Sequence, residues 1–350
     1  MPRSLAIDGT VIDDASDCYV IAEVGHNHQG KLDKAFELMR AAKDCGADAV
    51  KLQKRHNRSL YTRAMYDKPY DNENSFGATY GEHREALEFG KKEYTALQQL
   101  AKELKIHFFA TAFDFKSADF LAELDVPAIK IASGDITNVP LLRHVAKIGK
   151  PVVVSTGTAS MDDVARAHDA MASINPRACF LQCTASYPCD FEELDLGVIT
   201  TFRQRFPDTV IGLSAHDNGI AMAVAAYMLG ARVIEKHFTL NRALKGTDHA
   251  FSLEPVGLRK MVRDLRRLRK AIGDGRKKCW PSEKPALSKM GKSLYAARAL
   301  PAGHKVAEAD VAIKSPGGGL PPWQLDRMIG AKLRRAVAED ELFSADSLEW

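Results

Sequence analysis

Residues 232–239 read RVIEKHFT. An apolar start runs straight into Glu235, Lys236 and His237 with no turn residue between, so the segment reads as a buried β-strand ending in three ionisable groups. Seven further β-branched or aromatic runs precede it: CYVIAEV (18–24), AVKLQK (49–54), IHFFATAF (106–113), AIKIAS (128–133), PVVVSTG (151–157), CFLQCT (179–184) and TVIGLSAH (209–216). Stretches of helical periodicity separate them, such as KLDKAFELMRAAKDCG and MDDVARAHDAMASI, and several close on Gly, a helix C-cap residue. Near-continuous apolar strands alternating with helices are parallel strands covered by those helices. Eight such units in about 250 residues predict an α/β fold, a closed (β/α)8 (TIM) barrel. An open doubly wound sheet is the alternative.

The composition is that of an ordinary globular chain: 350 residues, 45% hydrophobic and 27% charged. With 49 Lys and Arg against 45 Asp and Glu, the net charge of +4 gives no reason to expect nucleic acid. The most basic stretch, RKMVRDLRRLRKAIG (259–273), carries Met261, Val262, Leu265 and Leu268 at helical spacing and reads as an amphipathic helix with a solvated basic face. No apolar run approaches the ~18 residues of a membrane span, so no membrane partner is expected. Cysteines 18, 45, 179, 183, 189 and 279 form no Cys-x-x-Cys pair, and with no signal peptide a cytoplasmic location is expected. Residues 1–272 are read as the barrel, the Gly- and Pro-bearing 273–292 as a linker, and 293–350 as a small β-rich domain.

In such barrels the chemistry sits where the strands end. Here those ends are polar in every unit: Glu23; Lys51 and Gln53; Asp114; Lys130 and Ser133; Ser155; Thr184; Ser214 and His216; Glu235 and His237. Adjacent parallel strands run ~4.8 Å apart, so His216 and His237, on the last two strands, can share one divalent ion, with Glu23 joining directly or through water. Such a donor set suits Mn2+, Fe2+, Co2+ or Zn2+. His26 and His28 in GHNHQG (25–30) offer a second, lower-ranked pair, and Asn27 either shapes that loop or touches substrate. Lys51 and Lys130 end otherwise apolar strands, and a lysine removed from solvent needs an anion. Phosphate or carboxylate is the natural guest, with hydroxyls from Ser133, Ser155 and Ser214 around it. A Schiff-base role for Lys130 and a structural Lys–Glu pair inside the barrel are the competing readings. TDHAFSLEP (247–255) places Asp248 and His249 in the loop over the barrel mouth, within reach of a polyol.

In order along the chain, IAEVGHNHQG, AVKLQK, IKIASGD, VVVSTG, QCTASYP, GLSAH and IEKHFTLNRALKGTDHAFSLEP resemble the sialic acid synthases, and SLYAARALPAGHKVAEADV resembles their C-terminal SAF (β-clip, antifreeze-like) domain. PYDNENSFGATYGEHREALEF (69–89) is most similar to the branch that makes 9-phosphates. The resemblance implies condensation of phosphoenolpyruvate with N-acetylmannosamine, its 6-phosphate or a related sugar. It implies that His216 and His237 hold Mn2+ or Mg2+, with Co2+ also able to serve. It further implies that Lys51, Lys130, Ser133, Ser155 and Ser214 hold phosphoenolpyruvate. Glu23, Asp135, Tyr187 and Asp248 would meet the sugar or move protons, and the chain would form a domain-swapped homodimer. Gln53, Thr184 and Asn27 complete the expected substrate contacts.

Two departures stand out: Ala185-Ser186 where many members carry Asn, and Ser315 where the bacterial enzymes carry an Arg before Pro-Gly. Arg55, His56, Arg58, Arg63, Lys68 and Arg84 flank the loop after the second strand and are read as a clamp for a sugar phosphate, against a solvated loop with subunit-interface salt bridges. Rival functions are another phosphoenolpyruvate-dependent 3-deoxy-sugar acid synthase, a Schiff-base aldolase, and a non-enzymatic ice- or glycan-binding protein.

Overall fold

The structure, a computed structural model, describes residues 3–350 and divides into two compact units, one ending at Gly273 and one spanning Asp274–Trp350. The first unit opens with a hairpin absent from the sequence reading, β1 (Ser4–Ile7) and β2 (Thr10–Asp13). Its signal was the Asp8-Gly9 pair between alternating apolar residues: both sit at positive φ, 44° and 80°, as a two-residue hairpin turn requires. The hairpin buries Leu5, Ile7 and Ile12.

The eight strands of the periodic reading are β3 (Tyr19–Gly25), β4 (Ala49–Lys54), β5 (His107–Ala112), β6 (Ile129–Ile131), β7 (Val152–Ser155), β8 (Ala178–Cys183), β9 (Val210–Ala215) and β10 (Val233–His237). They are parallel and close on themselves, with β10 pairing β3, so the fold is a (β/α)8 barrel and not an open sheet. Helices cover the outer face because their apolar residues fall on one side: Leu32–Asp44 buries Ala35, Leu38, Met39 and Ala42, and Lys91–Leu104 buries Tyr94, Leu97, Leu100 and Ala101. The basic segment is such a helix, Pro255–Ala271, with Leu258, Met261, Val262 and Leu265 buried and Arg266 paired to Asp48. Asp114 is a helix cap, accepting from Ser117 N at 2.9 Å at the start of Phe115–Glu123. No described helix is long and apolar enough to cross a membrane.

Register carries the functional face. Glu23 lies beside Lys51, Thr111 beside Lys130, and Ser214 beside Glu235. Side chains alternate across a strand, so Glu235 and His237 share the face opposite Lys236. At Gly212 a Cβ would stand 2.4 Å from the Val233 carbonyl oxygen, so only glycine lets β9 and β10 pack this closely.

The second unit pairs β11 (Ser293–Ala296) with β12 (Val311–Lys314) and β13 (Lys332–Leu333) with β14 (Leu348–Glu349), around a core that includes Leu294, Met328, Phe343 and Leu348. The segment read as a linker contains the helix Lys284–Met290. Asp310 is the polar anchor of this unit. Its side chain, 1% exposed, accepts from Arg298 at 2.7 Å, His304 at 2.7 Å and Ala307 N at 2.9 Å. The bonds from His304 and the Ala307 N–H, helped by Arg298, hold its carboxyl well below the usual range. Its contribution is therefore complete above about pH 4 and is lost only as pH falls toward the depressed value. D310N should cost about 2 kcal/mol at neutral pH, speeding amide exchange in peptides across β11 and β12 by roughly 30-fold. Unchanged exchange would show that Asp310 anchors nothing.

Candidate active site

Four charges meet inside the barrel. Lys51 Nζ lies 2.7 Å from Glu23 Oε2 and donates to Thr111 Oγ1 at 2.8 Å. Lys130 Nζ donates to Ser155 Oγ at 2.5 Å and to the Ile131 carbonyl at 3.2 Å. Glu235 stands between the lysines, 3.6 Å from Lys130 Nζ and 3.9 Å from Lys51 Nζ, and accepts from Ser214 Oγ at 3.1 Å. None of the four residues is more than 5% exposed.

Burial lifts the Glu23 carboxyl to about 7, against the pull of Lys51 and with the repulsion of Glu235 adding to it. Burial also works to raise Glu235, but Lys130 and Lys51 together outweigh it and hold that carboxyl down to about 2. Burial lowers Lys130, with Glu235 opposing. Two ammoniums thus face one firmly ionised carboxylate and one poised near neutrality, an arrangement that favours an incoming anion.

Above this layer Gln53 Nε2 donates to Glu23 Oε1 at 2.8 Å, and Arg55 Nη2 donates to Gln53 Oε1 at 2.7 Å. Gly25, at φ +52°, lets the loop pass beside them: a Cβ there would stand 3.2 Å from both Gln53 Nε2 and Glu23 Oε1.

His216 and His237 close the opposite wall, ring centroids 5.4 Å apart. His216 Nδ1 lies 2.9 Å from the Thr184 carbonyl, which can only accept, so Nδ1 carries the proton and Nε2 presents a lone pair. Burial and the neighbouring His237 push His216 down to about 3, and burial lowers His237, so both imidazoles are neutral. His237 Nδ1 is buried without a hydrogen-bond partner, with Asp248 Oδ2 at 3.8 Å. An orphaned ring nitrogen beside a second imidazole of defined tautomer fits a divalent cation. Among the described residues no three His, Cys, Asp or Glu side chains group as a ligand set. The expected third ligand, Glu23, is committed to Lys51 and Gln53 instead. Tyr187 packs on His216 at 4.1 Å and Phe251 edges His237 at 4.9 Å.

These groups surround one cleft of about 630 Å3. Of the residues expected from sequence, Glu23, Lys51, Gln53, Lys130, Ser133 and Ser155 line it. So do Tyr187, Ser214, His216, His237, Asp248 and Arg84. Three lie off its wall. Asn27 is a buried loop strut, donating to the Phe238 carbonyl at 2.9 Å and Ser252 Oγ at 3.0 Å. Thr184 contributes its carbonyl to His216 while its hydroxyl donates to Glu193 O at 2.6 Å. Asp135 accepts from Asn138 Nδ2 at 3.1 Å in a 3-10 turn.

His28, from the second candidate pair, is buried and stacks on Phe89 at 4.1 Å. Of the six basic residues after the second strand, only Arg55 and Arg84 reach the cleft; Arg58 covers the Tyr66 ring at 3.6 Å. Glu235, Thr111 and Phe113 line the cleft without having been singled out as substrate contacts. Glu235 was visible in principle, two residues before His237 and so on the same strand face.

A family model described as the NeuB family matches residues 38–277, and one described as the SAF domain matches residues 291–349. The chain belongs to the NeuB family. It is 41% identical to N-acetylneuraminate-9-phosphate synthase of Mus musculus over 333 residues, covering 95% of this chain and 93% of that one. It is 35% identical to N,N'-diacetyllegionaminic acid synthase of Legionella pneumophila, covering 90% of each. Among solved structures, the N-acetylneuraminic acid (sialic acid) synthetase of Leptospira borgpetersenii, crystallised with citrate, superposes with a TM-score of 0.71 at 32% identity, covering 82% of this chain and 95% of that one. A NeuB-family barrel thus carries the paired lysines, and an SAF domain follows it.

Glu235 is the counter-charge both lysines share, so E235Q should lower stability by about 3 kcal/mol in urea unfolding. Added phosphoenolpyruvate should then raise the melting temperature of E235Q more than that of the parent. Equal stability and equal shifts would mean the lysines are balanced elsewhere.

Proposed function

We propose that this NeuB-family protein condenses phosphoenolpyruvate with an N-acylated hexosamine, or its phosphate, to give a nonulosonic acid, or its 9-phosphate, and inorganic phosphate. The observation that carries this reading is the Lys51–Glu235–Lys130 cluster at the floor of a cleft whose wall holds two neutral imidazoles. The names of the relatives support it, since they are synthases of such acids. Lys51 and Lys130 hold the phosphate and carboxylate of phosphoenolpyruvate, and the Ser133, Ser155 and Ser214 hydroxyls orient it. His216 and His237 hold a divalent cation. Two nitrogen donors favour Mn2+ or Co2+ over Mg2+, which prefers oxygen. When bound, such an ion supplies Lewis-acid polarisation of a carbonyl.

The chain's own residues do the rest. The lysines align the enol carbon of phosphoenolpyruvate on the open-chain aldehyde, and positioning of this kind reaches effective molarities of ~10⁵ M or more. The carbon–carbon bond forms, the aldehyde oxygen takes up a proton, and water adds at C2. Glu23, whose Oε1 faces Gln53 in the cleft, accepts the proton from that water. Phosphate then leaves with cleavage of its C–O bond, carrying off the proton of the C2 hydroxyl as that carbon becomes a ketone. Asp135 lies off the cleft wall, which favours Glu23 as the base. Lys130 is held by Ser155 Oγ, the Ile131 carbonyl and Glu235, which favours an anion-binding role over imine chemistry. Tyr187 and Asp248 meet the sugar at the upper wall.

We place the reaction in the cytoplasm, where six free cysteines stay reduced. We also propose a domain-swapped homodimer, in which a partner copy covers the exposed Trp323 and Ile313 of the C-terminal unit.

Phosphoenolpyruvate labelled with ¹⁸O at the bridging position should deliver its label to inorganic phosphate in the presence of Mn2+ and the sugar. Label retained in the organic acid would exclude this route. E23Q should lower kcat by about 10²–10⁴. H237A should lose both turnover and saturable Mn2+ binding in titration calorimetry, and normal turnover by H237A would refute the imidazole assignment.

A further inference from the structure

The two imidazoles of the cation wall are joined from behind. Lys236, between Glu235 and His237 on β10, points to the outer face of the barrel, where it is 2% exposed. Its Nζ donates to the Asp217 carbonyl at 2.6 Å and to Asp217 Oδ1 at 2.8 Å. Asp217 follows His216 in the chain and is 1% exposed. Neither residue of this pair lines the cleft. The outward neighbours Ile234 on β10 and Leu213 and Ala215 on β9 are apolar and buried. An ammonium in such a layer must shed its water, and a buried ion pair seldom outdoes an apolar pair of the same volume in stability. Packing alone therefore gives no reason for Lys236 and Asp217.

The pair acts on where His216 sits. The β9–β10 ladder ends at the Ala215–Lys236 pair, so His216 lies one residue beyond the last strand partner. Other bonds fix it there. Its ring Nδ1 meets the Thr184 carbonyl at 2.9 Å, its own carbonyl accepts from Cys189 N at 3.2 Å, and Lys236 grips the next residue. The first two run to the loop after β8, whereas Lys236 belongs to β10 and is followed at once by His237. One ammonium thus ties the carrier of one ring to the carrier of the other, across the gap that holds the ring centroids at 5.4 Å. Metal–ligand distances tolerate only about 0.2 Å, so a His216 loop free to drift loses the ion while the lysine floor stays intact. We infer that Lys236 and Asp217 are positioning residues that fix the spacing of His216 and His237 for a divalent cation from outside the cleft. This rests on the cation ligands named in the condensation reading above.

The test is calorimetric titration of the full chain with Mn2+ alone and, separately, with phosphoenolpyruvate alone. K236M by itself leaves a buried carboxylate unpaired and endangers the fold. K236M/D217L removes both charges at similar volume and should melt within about 5 °C of the parent. It should nevertheless bind Mn2+ about 10–100-fold more weakly, the usual loss when a group behind a metal ligand is removed. Its dissociation constant for phosphoenolpyruvate should change by less than about threefold, since the lysine floor is untouched. D217N keeps the main-chain bond and the volume but loses the ionic grip, and should weaken Mn2+ binding about three- to tenfold. Parent-like Mn2+ affinity in the folded double variant, or in D217N should the double variant not fold, overturns the positioning role. So does an equal loss of Mn2+ and phosphoenolpyruvate affinity, the mark of a merely structural pair. H237A supplies the baseline: if Mn2+ binding by the parent does not need His237, the clamp falls together with the cation wall. Mn2+ binding that needs both His237 and Lys236, without any condensation, keeps the clamp and removes the condensation reading alone.

Discussion

Two ammoniums inside a β-barrel set the terms for the rest of this structure. Lys51 and Lys130 cannot reach water, and at low dielectric their repulsion is costly unless a carboxylate stands between them. Glu235 meets that need at 3.9 and 3.6 Å, which requires β10 to lie next to β9 and across from β4 and β6. Barrel closure and charge balance are therefore the same requirement. Glu23, left with Lys51 but also facing Glu235, is the carboxylate whose ionisation is least secure, so the cluster holds a proton-accepting group beside an anion site.

Burial acts on the second wall in the opposite sense. Glu235 stays charged because Lys130 and Lys51 face it, whereas burial outweighs what Thr184 offers His216 and Asp248 offers His237 and keeps both imidazoles neutral. Neutral imidazoles are the ligand form, and the Thr184 carbonyl decides which nitrogen His216 offers. The two walls are one residue layer apart on β10, where Glu235 and His237 occupy successive inward positions. The segment 232–239 is thus a strand that serves the anion floor and the cation wall together.

The polarity of the cleft is graded along its depth. Charges at the floor are paired, Gln53 in the middle bridges Glu23 and Arg55, and at the mouth the Arg55 and Arg84 guanidiniums hydrogen-bond neutral groups, Gln53 and Tyr80. A ligand with negative charge at both ends and neutral hydroxyls between matches that order.

Much of this was legible in the residues themselves. Eight apolar runs at helix-spaced intervals dictate a parallel closed sheet, because strands buried on both faces need helices outside and each other inside. The polar ends of those runs named most of the cleft, since period-two alternation sends every second side chain inward. What only the tertiary structure decided is which polar ends meet. Asn27, Thr184 and Asp135 carry chemistry-bearing groups at the right places in the chain, yet backbone carbonyls and neighbouring side chains absorb them away from the cleft. Glu235 gained its place from the distances to two lysines more than a hundred residues upstream, and Arg55 and Arg84 were separated from four other basic residues by which of them the folded loop turns toward the cleft. Hydrophobic periodicity is a local property and survives in one dimension. Charge balance depends on three-dimensional distance, so it appears only once the barrel has closed.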